Sequence, residues 1–138
     1  QVIDAGLTPE DLVVFKYEDE GISTLEDGLY TTEENLADPE MSEKLVRFVR
    51  ASMKGWKYAE ANPDEAAEIV LENDQTGAQT EKHQKRMMGE IAKLTEGSNG
   101  ALDEAAFDRS AAITMEGGMI TKAPEGAWTH EITDEALK

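Results

Sequence analysis

The residues Tyr17-Glu18-Asp19-Glu20 gather more chemistry into one place than any other stretch of the chain. Carboxylates accept hydrogen bonds from the amino groups of a ligand and pair with cationic substrates. A tyrosine beside them can stack on a flat cationic ring and hydrogen-bond it. The plain alternative is a solvated acidic turn, a common feature in a chain with 30 acidic and 13 basic residues. Composition leaves both readings open. The only two histidines, His83 and His130, have no second ligand at helical spacing and no His-Glu-x-x-His pattern, so both read as surface residues. No Gly-x-Ser-x-Gly elbow is present. Gly97-Ser98-Asn99-Gly100 lacks the Lys-Ser/Thr that would make it a phosphate loop. The absence of cysteine excludes disulfides, thiolate metal sites and a cysteine nucleophile. No metal and no cofactor is expected.

The formal net charge of −17 argues against nucleic acid and anionic lipid as partners, since phosphate binding needs a basic footprint. No apolar run is long enough to span a membrane, so no direct membrane insertion is expected. Gln1-Val2-Ile3-Asp4 shows neither a basic n-region nor an apolar h-region, and no signal peptide is expected there. The 138 residues suffice for one ordinary core.

The elements that must position the acidic stretch are mostly helical. Two runs read as β-structure, Val13 to Tyr17 and Leu29 to Thr32, separated by Glu18-Asp19-Glu20-Gly21 and by Glu26-Asp27-Gly28. Strand alternation would put two of the three carboxylates on one face. A short helix is predicted over 33–36, with Thr32 as its cap. A long helix opens at Asp38-Pro39-Glu40, where Asp caps and Pro suits the first position. Its stripe of Met41, Leu45, Phe48, Val49, Ser52, Trp56 and Ala59 marks a core face, with Lys44, Arg47, Arg50, Lys54 and Lys57 opposite. Asn62-Pro63 ends it and starts another helix through a capping box with Glu65. A third helix is expected over 79–94, with Met87 and Met88 filling the core. A fourth opens at Leu102-Asp103-Glu104 and stops at Gly117-Gly118. Residues 119–128 read as irregular, and a last helix begins at Ile132. A lone two-stranded ribbon is marginal in water, so the β-runs either form a small ribbon on a helical bundle or join the edge of a sheet whose other strands lie upstream.

The stretch from Phe15 to Asp74 resembles the later part of bacterial ABC-transporter substrate-binding proteins. The branch is the one similar to pyrimidine-precursor (thiamine biosynthesis) binders, with nitrate, sulfonate and taurine binders as relatives. The resemblance is carried by Gly28-Leu29-Tyr30-Thr31-Thr32-Glu33, by the Arg-Phe-x-Arg-Ala-x-x-x-Gly-Trp-x-Tyr-Ala pattern over 47–59, by Asn-Pro-x-Glu-Ala over 62–66, and by the tail from Ala112 to Ile120. It implies an α/β fold of the type 2 periplasmic binding protein class, of which this chain is a mostly helical C-terminal part with a few strands. Residues 1–32 would form the end of the second lobe, the hinge crossing and a return strand. Residues 33–138 would form the helical C-terminal part of the first lobe. It further implies a periplasmic protein that binds a small molecule through Tyr17, Glu18, Asp19 and Glu20 and delivers it to an ABC permease. Eukaryotic relatives that synthesise the pyrimidine carry a Cys-rich motif, which this chain lacks, so binding is favoured over an enzyme of the same fold. A free-standing acidic helical interaction domain is the third reading.

Overall fold

In the computed structural model, Val2 and residues 5–138 are described. A 3-10 turn at Pro9–Asp11 is followed by six α-helices: α1 (Glu33–Ala37), α2 (Pro39–Ala61), α3 (Pro63–Asn73), α4 (Glu81–Thr95), α5 (Glu104–Glu116) and α6 (Glu131–Ala136). The chain divides into two compact units. One comprises residues 1–34 and 102–130, the other residues 35–101 and 131–138, so the chain passes between them three times.

The helix boundaries follow from capping chemistry. The Asp38 carboxylate accepts hydrogen bonds from the amides of Glu40 at 2.9 Å and Met41 at 3.4 Å, with Pro39 in the first turn. Thr80 caps α4 through the His83 amide, and Asp103 caps α5 through the Ala106 amide. Each satisfies a backbone donor that the helix itself leaves without a partner. The expected capping box at Asn62 is replaced by a different arrangement. The Asn62 side chain donates back to the Tyr58 carbonyl at 2.9 Å, closing α2 rather than opening α3. Glu65 is thereby released from the box and instead accepts the hydroxyl hydrogen bond of Tyr58, which ties the two helices across the Pro63 elbow.

In the second unit the core is small. Ala66 and Ala67 of α3 and Met88 of α4 are buried, with Ala59 of α2 packed on them. Small residues here let α3 and α4 approach closely, and Met88 fills the space between. Met87, one position along, lies about 100° around the helix and is exposed, so only one of the two methionines enters the core. On α2, Met41, Leu45, Val49, Ser52 and Ala59 are half-buried, while Phe48 and Trp56 of the same stripe remain exposed. The far end of α2 carries α6, whose Ala136 is 3% exposed. The Arg50 guanidinium donates to the last carbonyls of α6, at 3.0 Å to Ala136 and 3.1 Å to Glu135. Lys44 and Arg47 on the same basic face pair with Glu40 and Glu43 one turn back.

The two β-runs are not strands. Among the described residues there is no β-ladder at all. Residues 12–16 and 22–32 adopt no regular secondary structure, and their apolar side chains stand in solvent: Val13 is 81% exposed and Tyr30 is 84%. The physical reason is that a strand is defined by its neighbour. A helical turn at 16–21 separates the two runs, and among the described residues neither enters a ladder. In the same unit the Leu25 amide donates to Ser110 Oγ of α5 at 2.8 Å, which anchors its segment without a ladder.

Candidate ligand site

Tyr17-Glu18-Asp19-Glu20 forms one turn of helix rather than a strand end. The amides of Asp19, Glu20 and Gly21 donate to the carbonyls of Lys16, Tyr17 and Glu18, each at 3.1 Å. The Ile22 amide then reaches back to the Tyr17 carbonyl at 2.8 Å. The last two bonds, 5→2 from Gly21 and 6→1 from Ile22, make a Schellman closure with Gly21 at its left-handed position. Gly21 has φ 78°, where a side chain would be strained. The four candidate residues are therefore brought together, but not on a shared face. With bonds of the i→i+3 kind, successive side chains point about 120° apart. The alternation expected for a strand is replaced by a helical turn in which Glu18 and Asp19 diverge while Glu20 falls on the same side as Tyr17, which is 72% exposed.

The turn can accept several hydrogen bonds from different directions and can offer an aromatic face. All four of its side chains are exposed. Among the described residues, no three acidic or histidine side chains converge to hold a metal ion.

Other polar constellations belong to the scaffold. His130, expected at the surface, is half-buried: its Nε2 lies 2.9 Å from the Leu102 carbonyl, and its ring lies 4.8 Å from that of Trp128. A carbonyl only accepts, so Nε2 carries the proton. This pair fastens the irregular 119–130 segment to the residue preceding the α5 cap. The two-residue spacing of Trp128 and His130 is the only trace of it in the sequence.

In the other unit, a shallow groove of about 460 Å³ is lined by Ile69, Val70, Asn73, Asp74, Gln79 and Gln84. Its carboxylate is already engaged. Asp74 accepts from the Thr76 hydroxyl at 2.6 Å, the Thr76 amide at 2.9 Å and the Gln79 amide at 3.0 Å. The Thr76 hydroxyl bond, then the Gln79 and Thr76 amides, hold the carboxyl below its ordinary value of 3.8. A depressed value means that the loop's stabilisation is present above that ordinary value and is lost as pH falls through the folded-state value. Protection factors at the Thr76 and Gln79 amides, which correct for the pH dependence of free-amide exchange, are therefore expected to hold at pH 5 and to fall below about pH 3.8. In the Asp74→Asn chain they are expected to be low at both.

Residues 1–66 match the family described as NMT1/THI5 like. This is the family of thiamine pyrimidine precursor and nitrate, sulfonate and taurine binding proteins. The match covers the acidic turn, both apolar runs, α1, α2 and the first residues of α3. No curated protein and no solved structure matches the chain.

Proposed function

We propose that this chain is part of the substrate-binding component of an ABC importer, with the α/β architecture of type 2 periplasmic binding proteins. Residues 1–32 carry the end of the second lobe, the hinge crossing and the return strand. Residues 33–138 are the helical C-terminal part of the first lobe. The observation that carries this reading is the family match over 1–66, which spans the acidic turn and both exposed apolar runs. Those runs are strands in waiting, and the remaining strands belong to polypeptide outside these 138 residues.

The ligand is a small, flat, amino-bearing ring, a thiamine-related pyrimidine precursor. Tyr17 covers its face and Glu20, on the same side of the turn, accepts an amino hydrogen, with Glu18 and Asp19 offering acceptors toward its edges. The second lobe supplies the walls around the exposed turn. Closure of the lobes around the ligand favours the closed form, which the permease recognises on the periplasmic side of the membrane. Binding rather than catalysis fits a chain without the cysteines of the pyrimidine-synthesising relatives.

The test is a thermal-shift panel on the protein carrying both lobes, with an aminopyrimidine, taurine, another sulfonate and nitrate. Ligand at a hundred times its dissociation constant adds roughly 2.7 kcal/mol. An upward shift with the aminopyrimidine is expected, and it should vanish in the Glu18→Gln/Asp19→Asn/Glu20→Gln protein. A panel without any shift would remove the ligand assignment.

A further inference from the structure

We propose that Asn99 is a self-modification site, converting through a cyclic imide to aspartate and isoaspartate. Asn99 is followed by Gly100 in an exposed loop between α4 and α5. The reaction needs the backbone nitrogen of the next residue to reach the side-chain carbonyl carbon, and glycine offers no side chain in the way.

Three features of the loop favour that attack. The Ala101 amide donates to Asn99 Oδ1 at 3.0 Å. That bond polarises the side-chain carbonyl and stands where negative charge develops as the tetrahedral intermediate forms. The Gly100 amide donates to Ser98 Oγ at 3.1 Å, which gives the departing proton an acceptor. Gly100 itself has φ 76°, a conformation open to glycine and strained for other residues.

The step balances with water alone. The Gly100 nitrogen bonds to Asn99 Cγ, the Cγ–Nδ2 bond breaks, and ammonia leaves carrying the amide proton. Water then opens the imide at either carbonyl. Opening at the side-chain carbonyl gives aspartate. Opening at the main-chain carbonyl gives isoaspartate, with one extra carbon in the backbone.

The extra carbon falls at a tight place. A Cβ built on Gly100 would lie 2.6 Å from Met53 Sδ of α2, so the backbone of this loop runs against that side chain. The chain passes from one compact unit to the other between Ala101 and Leu102. Isoaspartate at position 99 lengthens the connection there and lifts the loop from Met53.

The other asparagines are internal controls. Asn62 precedes Pro63, which has no amide hydrogen to lose. The side chain of Asn73 donates to the Ile69 carbonyl within α3, and Asn35 lies within α1. The experiment is incubation of the intact chain at mildly alkaline pH, followed by peptide mapping with mass spectrometry and an isoaspartate-specific methylation assay. The expected result is loss of the intact Asn99 peptide, with gain of isoaspartate at 99, while the peptides of Asn35, Asn62 and Asn73 are unchanged. An intact Asn99 peptide, or conversion no faster than at Asn35 or Asn73, would overturn the proposal. A second arm compares the aged chain with Asn99→Asp, which has the new charge but a normal backbone. A drop in melting temperature is expected in the aged chain alone. An equal drop in both would contradict the backbone-lengthening consequence.

Discussion

Replacing Met88 by alanine is expected to cost about 2–4 kcal/mol, the range for removing a buried methionine whose site collapses only partly. The structure gives this loss unusual weight. Met88 is the one large side chain in a buried cluster otherwise made of Ala66 and Ala67. Ala67 is fully enclosed and can contribute no volume toward filling the gap. Urea unfolding followed by far-UV circular dichroism measures the effect through the shift in midpoint. Two controls isolate the cause. Met88→Leu conserves volume and is expected to lose less than about 1.5 kcal/mol. Met87→Ala removes the same atoms from an exposed neighbour and is expected to fall within about 0.5 kcal/mol of the parent. Equal losses at 87 and 88 would show that α4 packs through a different face.

Arg50→Ala is expected to release α6 from α2, at a cost of about 1–3 kcal/mol. A helix of six residues does not hold its shape alone in water. Its order depends on burial of Ala136 and on the two charge-assisted bonds from Arg50 to the final carbonyls. Those carbonyls carry the partial negative charge of the helix end, which adds to the attraction. The readout is hydrogen exchange at the Leu137 amide, which donates to the Thr133 carbonyl at 3.1 Å. Exchange there should become fast in Arg50→Ala while the α3–α4 amides stay protected. Arg50→Lys should be intermediate, because a single ammonium cannot reproduce the planar fork. Unchanged protection at Leu137 would mean that Ala136 alone docks the helix.

The helices were legible because their signals are local. Asp38-Pro39, Asn62-Pro63 and Gly117 each punctuate the chain within a few residues of the bond they make, and α2 through α5 begin and end within about two residues of the expected positions. The error at Asn62 was one of direction. The same side chain can serve the helix before it or the helix after it, and only the backbone torsions decide. The β-runs failed for a deeper reason. Val13 to Tyr17 has strand composition, but pairing is non-local, and composition does not say whether a partner edge exists. The turn at 16–21 was hidden by the same reading, although Gly21 after three polar residues is the mark of a Schellman closure. The His130 contact to Leu102 spans 28 residues and leaves no local pattern. Of the candidate site, the sequence marks the cluster from Tyr17 to Glu20, and the structure replaces its strand alternation with one turn of helix.

The exposed runs bear directly on the proposed function, since exposed apolar side chains grouped like Val13, Val14, Phe15, Leu29 and Tyr30 mark an interaction surface. The decisive measurement is amide hydrogen exchange at residues 13–16 and 29–30, in the 138-residue chain and in the protein carrying both lobes. The proposed reading predicts rapid exchange at these amides in the short chain and strong protection in the two-lobed protein, where the runs enter ladders. Rapid exchange in both would contradict it, because the runs would then be surface segments and the chain a helical protein of another kind.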